Sequence, residues 1–188
     1  MPHATTREPL GPRALSGEYV VRLTAGGRTV EKPLVIAPDP RVKVPASALA
    51  EQFQLASHLS TVLSESSRTV LAAQSERAQI QALAGDSPKD RGIASFRQRL
   101  ADLLEPLTDA QENIDTLYKQ VVKGDAAPTA VQITSSEAEE VKLTPLLATW
   151  KQLQTELPAV NRALRAAHLG PIRAELPPPR DRNVADEE

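Results

Sequence analysis

Two periods of apolar residues divide the chain. Between 18 and 36 the period is two: Tyr19, Val21 and Leu23 alternate with Val20, Arg22 and Thr24, and Val30, Leu34 and Ile36 share a face with Lys32. Such alternation marks a β-strand. The two runs flank Ala25-Gly26-Gly27, where glycine supplies the positive φ of a tight hairpin turn. The glycine pair lacks the strand, Gly-rich loop and helix context of a phosphate site and reads as a turn. A lone hairpin with one apolar face is marginal in water. The irregular residues 1–17 ahead of it do not supply a sandwich. Either the rest of the chain covers the hairpin or its partner strands lie outside the chain; the second reading is favoured.

Residues 37–46 contain Pro38, Pro40 and Pro45 and read as an extended linker. Beyond them the period becomes helical. Leu49, Phe53, Ala56, Leu59, Leu63, Val70, Ala73, Ile80 and Leu83 recur at three- and four-residue steps, and Gly85 is placed to stop the helix. Ser87-Pro88-Lys89-Asp90 reads as an N-cap, a first-turn proline and an acidic third position. Ile93, Phe96, Leu100, Leu103, Leu107, Ile114, Leu117 and Val121 continue the stripe to Gly124. Thr129-Ala130-Val131-Gln132 has the form of a capping box. Leu143, Leu146, Trp150, Leu153, Leu157, Val160, Leu164 and Ala167 then run to a stop at Gly170-Pro171.

The expected helices span about 47–84, 88–123 and 130–168, each roughly 55 Å long at 1.5 Å per residue. Short loops between helices of similar length predict an up-down-up antiparallel three-helix bundle over 47–170. The fold class is therefore mainly α, with a β-hairpin at 18–36 and a disordered tail at 171–188. Pro106 and Pro145 interrupt the second and third helical patterns. They lie at similar distances from the 124–129 loop, so both helices are expected to kink together, with Thr108-Asp109-Ala110-Gln111 recapping after the first break. Ser66, Ser67 and Arg77 interrupt the first stripe and argue against a long two-stranded coiled coil.

Composition narrows the function. With no cysteine in 188 residues, disulfides and thiolate metal sites are excluded. Aromatic residues make up 3% and the net charge is −2, a poor basis for holding nucleic acid. No uncharged apolar run is long enough to cross a bilayer. The first seventeen residues contain no apolar signal-peptide segment, so the chain as it stands is expected to lack an export signal.

Candidate chemistry is sparse. His3, His58 and His168 form no pair at metal-ligand spacing. Glu137, Glu139 and Glu140 read as a solvated helix face rather than as paired acid–base carboxylates facing a sugar-sized cleft. Ser64, Ser66 and Ser67 have no Gly-x-Ser-x-Gly elbow and no histidine placed as base. Arg162, Arg165, Arg173, Arg180 and Arg182 give the C-terminal stretch a basic lean toward an acidic partner, offset by Asp186, Glu187 and Glu188. Trp150 is expected as a core anchor. No catalytic, cofactor-binding or metal-binding residue is assigned, and no cofactor is implied.

Residues Leu10–Leu23, LGPRALSGEYVVRL, resemble a strand at the end of certain large bacterial proteins that carry sortilin-like Asp-box (BNR) β-propeller repeats and are often labelled glycosyl hydrolases. Pro33-Leu34-Val35-Ile36 and Asp39-Pro40-Arg41-Val42 are similar to the stretches that follow there. Gln52-Phe53-Gln54-Leu55-Ala56 resembles the opening of their helical region. Asp125-Ala126-Ala127-Pro128-Thr129, Leu146-Leu147-Ala148-Thr149-Trp150 and Leu157-Pro158-Ala159-Val160-Asn161 resemble its later part. The resemblance covers about 10–172. It implies that the hairpin is the last strand pair of an immunoglobulin-like module and that a C-terminal helical bundle follows. It also implies a periplasmic or extracellular home, although the chain's own composition leaves the cytoplasm open. The propeller is absent from this chain, so no activity or site residue is carried over.

The expected function is thus a non-catalytic accessory or interaction region with a protein partner: its own upstream propeller or immunoglobulin-like module, or another subunit. Nucleic acid and membrane insertion are not expected. The alternatives are a free-standing helical adaptor or oligomerisation module and, least favoured, a glycoside hydrolase.

Overall fold

The computed structural model describes residues 11–85 and 88–173. His3, the Ser87 cap, Arg180, Arg182 and the acidic C-terminus lie outside the described residues, as does the tail expected beyond 173. Two strands, β1 (Gly17–Ala25) and β2 (Arg28–Ile36), are followed by three helices, α1 (Ala46–Ala84), α2 (Arg91–Val121) and α3 (Ala130–Ala166). The chain is mainly helical, an antiparallel hairpin followed by three helices that pack against one another as a three-helix bundle.

The helix ends follow from local chemistry. Gly85 sits at φ 72° and its N–H donates to Gln81 O, closing α1. Asp90 caps α2: its Oδ1 accepts from the Ile93 N–H at 3.0 Å and its carbonyl accepts the first helical bond, from Ala94. The capping carboxylate is therefore Asp90 itself, three residues later than the cap expected at Ser87. At α3, Gln132 N–H donates to Thr129 Oγ1 and Gln132 Oε1 accepts from Thr129 N–H, a reciprocal capping box. The stop expected at Gly170-Pro171 comes earlier. His168 takes the left-handed conformation at φ 60°, Leu169 N–H donates to Leu164 O and His168 N–H to Arg165 O, which is a Schellman closure.

Pro106 and Pro145 do not end their helices, and Pro158 also lies inside α3. Thr108 consequently starts no new helix; its hydroxyl donates to Leu104 O within α2. All three prolines are exposed, so the carbonyl each leaves unbonded four residues earlier lies on the solvent side. Meanwhile Leu103, Leu104, Leu107 and Ala110 stay buried on both sides of Pro106. Burying each large apolar side chain contributes roughly 1.5–3 kcal/mol, which together outweighs the roughly 3 kcal/mol cost of an interior proline.

The chain forms two compact units. One holds the hairpin, the linker and α1 as far as Thr61, with Thr116–Ser135. There Gln52 near the start of α1 donates its amide to Val121 O at the end of α2, as antiparallel neighbours require, and also to Gly124 O. Arg13 of the lead-in lies 3.6 Å from Asp125.

The other unit runs over Val62–Asp115 and from Ser136 onward. Its core is formed by Val70, Ala73 and Ile80 of α1, by Phe96, Leu100 and Leu107 of α2, and by Leu143, Leu153, Leu157 and Leu164 of α3. Arg99–Glu156 and Asn113–Glu139 bonds tie α2 to α3 in antiparallel order. Residues 171–173, assigned above to the tail, are held in place. Asn161 exchanges two hydrogen bonds with the Ile172 backbone, Gln79 exchanges two with Arg173, and the Ile172 side chain is buried.

Candidate interaction surface

The two-residue loop makes the hairpin register regular, from Ala25↔Arg28 to Gly17↔Ile36. Gly26 and Gly27 have φ 56° and 74°, the pair of positive values a type I′ turn needs. Residues directly opposite share a face. One face therefore carries Tyr19 with Leu34, Val21 with Lys32, and Leu23 with Val30. The other carries Glu18 with Val35, Val20 with Pro33, the Arg22–Glu31 ion pair at 2.6 Å and the Thr24–Thr29 hydroxyl pair at 3.0 Å.

The apolar face is uncovered. Its large side chains are exposed by between 38%, at Tyr19, and 67%, at Leu23. Among the described residues β1 and β2 pair only with each other. Five of the hairpin's seven exposed large apolar side chains lie on this face, with Val20 and Val35 on the other. Such a cluster is the usual mark of a contact surface, in contrast to single exposed residues such as Leu71 or Val141 on the helices. The hairpin is nonetheless anchored at its root, where Tyr19 Oη donates to Leu15 O at 2.7 Å.

Beside this root lies a cleft of about 180 Å³. Leu15, Val42, Leu49 and Phe53 form its apolar wall, while Arg13 and Asp125 stand at its rim. Asp39, also at the rim, is held below the usual carboxylate range by hydrogen bonds from Arg41. The Gln52 amide that faces the cleft is already committed to the Val121 and Gly124 carbonyls.

The side chains singled out for chemistry do not converge. His58 is exposed on α1, and His168 occupies the turn after α3. Glu139 accepts a hydrogen bond from Asn113 of α2 at 3.2 Å and pairs with Lys142 of its own helix at 2.7 Å, while Glu137 faces solvent. Ser66 is fully buried, its hydroxyl satisfied by Leu63 O. Arg162, Arg165 and Arg173 are exposed. Trp150 is half-buried on α3. Among the described residues no three histidine or carboxylate side chains cluster to hold a metal, and no helix is long and apolar enough to cross a membrane.

One buried group was missed by sequence reasoning. Glu76 of α1 is 1% exposed, accepts one hydrogen bond, from Gln154 Nε2 at 3.2 Å, and leaves Oε1 without a partner. Burial pushes its carboxyl up to about 7, against a smaller opposing effect of the Gln154 bond. Its position, three after Ala73 and four before Ile80, lies on the inward stripe and was the available signal. Arg77, counted above as the interruption, is exposed.

Comparison of the chain with protein-family models, with curated proteins and with solved structures finds no match.

Proposed function

We propose that the chain is a non-catalytic interaction module. Its hairpin completes a β-sandwich supplied by another polypeptide segment, and its helices form the accompanying accessory bundle. The observation that carries this reading is the exposed face of Tyr19, Val21, Leu23, Val30 and Leu34 on a two-stranded sheet. Two strands do not bury enough apolar surface to stand alone, so a covering layer is the missing part. The Tyr19–Leu15 bond supports a sandwich in particular. A tyrosine near a strand start, bonded to the backbone a few residues upstream, is a feature of immunoglobulin-like domains, at the strand that opens their last hairpin.

The resemblance to the C-terminal region of exported sortilin-like, Asp-box propeller proteins fits this role and names the segment: an immunoglobulin-like module upstream, in a periplasmic or extracellular protein. The test is hydrogen exchange on the chain with and without the polypeptide coded immediately upstream. The hairpin amides gain protection when it is present. Unchanged hairpin exchange, or a discrete stable oligomer formed by the chain alone, overturns the reading in favour of a free-standing helical adaptor.

A further inference from the structure

The hairpin's two outer edges differ. In a hairpin with a two-residue loop, the residues flanking the loop form a hydrogen-bonded pair, and such pairs then alternate with non-bonded ones. Counting from Ala25↔Arg28, the non-bonded pairs are Thr24↔Thr29, Arg22↔Glu31, Val20↔Pro33 and Glu18↔Val35. The backbone N–H and C=O groups of these residues point away from the hairpin. On β1 they form an unbroken row of four donors, from Glu18, Val20, Arg22 and Thr24. On β2 the row is broken, because Pro33 has no N–H and stands at one of the outward positions. Proline at an edge is a common guard against strand addition. The β2 edge is thus closed and the β1 edge open.

We infer that the outer edge of β1 is the docking site for an extended strand of a partner β-sheet, whose second layer lies over the Tyr19, Val21 and Leu23 face. This rests on the reading above and specifies its geometry: β1 becomes an interior strand and β2 the rim. A second copy of the chain does not meet both requirements. Pairing β1 with its own copy builds a four-stranded sheet whose doubled apolar face stays bare. Packing two hairpins face to face leaves the β1 donors unpaired. The incoming strand carries apolar residues at alternate positions, matched to Tyr19, Val21 and Leu23, and a polar or basic residue beside the exposed Glu18.

The test uses the full chain, isotope-labelled for amide-resolved NMR, and a nonapeptide of alternating threonine and valine with a lysine at each end. The expected result is that the peptide shifts the amides of Glu18, Val20, Arg22 and Thr24. Val20→Pro removes one outward donor without touching the hairpin's own ladder and weakens the peptide by about tenfold or more; Thr24→Pro repeats the test nearer the turn. Val35→Pro, the matched change on the guarded edge, leaves binding as it was. The amides of Leu23 and Val30 report whether each variant keeps its hairpin. Shifts at Thr29, Glu31 and Val35 instead, equal loss in V20P and V35P, or no movement in the hairpin at millimolar peptide would overturn the inference. Failure of the underlying reading shows separately, as hairpin amides already protected before peptide is added.

Discussion

Tyr19 and Leu15 are joined by a hydrogen bond of 2.7 Å from the phenol to the Leu15 carbonyl, across the residues where the lead-in turns into β1. This bond fixes how the hairpin leaves the rest of its unit. Arg13, two residues before Leu15, reaches Asp125 on the loop between α2 and α3. The root of the hairpin is therefore held while its strands remain uncovered. Tyr19→Phe removes the bond and keeps the ring. A loss of about 1 kcal/mol in local opening free energy is expected at the amides of 15–20, read by hydrogen exchange, with the helical melt unmoved.

Glu76 gives the stability a pH dependence. Its carboxyl sits at about 7 when folded, against 4.5 for the ordinary group. Between those values the folded state holds a proton that the unfolded state has released, so stability is full below pH 4.5 and declines as pH rises through about 7. The difference amounts to about 3 kcal/mol. Glu76→Gln is expected to flatten this part of the profile, to match the parent near pH 4.5 and to melt higher than it at pH 8. Urea melts at the two pH values check this.

Asn161 clamps Ile172 through both its amide atoms, at 3.0 and 2.7 Å. Asn161→Ala leaves the Ile172 backbone groups without these partners and frees a buried side chain. The expected cost is about 2 kcal/mol, on the scale of unsatisfied buried polar groups. It should appear as a lower urea midpoint together with fast exchange at the Ile172 amide.

The hairpin face contributes little to the stability of the isolated chain. Leu23→Lys with Leu34→Lys is expected to shift the thermal melt by less than about 0.5 kcal/mol, as at exposed sites, whereas Leu100→Ala in the core costs roughly 2–5 kcal/mol. A large loss from the lysine pair would show that the face is covered within the chain.

Much of this architecture was legible in the residues because local chemistry decides it. The period-two run around Gly26-Gly27, the Thr129–Gln132 box and the stop at Gly85 need only neighbours a few residues away. The errors arose where distant packing overrides local preference. Thr108 was expected to recap a new helix after Pro106, yet buried leucines on both sides carry α2 through its proline without a restart. Asp90 takes the capping role expected of Ser87 because its carboxylate reaches the Ile93 amide. Glu76 was passed over because a lone carboxylate on an inward stripe is costly, and Gln154, 78 residues away, is what makes its placement tolerable. Of the candidate surface, the apolar alternation was visible from the start. The edge asymmetry was not, because it depends on the register that places Pro33 opposite Val20.

The most direct measurement is amide hydrogen exchange on the isolated full chain, comparing 18–36 with 49–84. A hairpin left incomplete by its missing layer predicts rapid exchange across 18–36 while the α1 amides stay protected near the global unfolding free energy. Equal protection of hairpin and helix would contradict the account, since the strands would then be stabilised within the chain and would have no vacant face to offer.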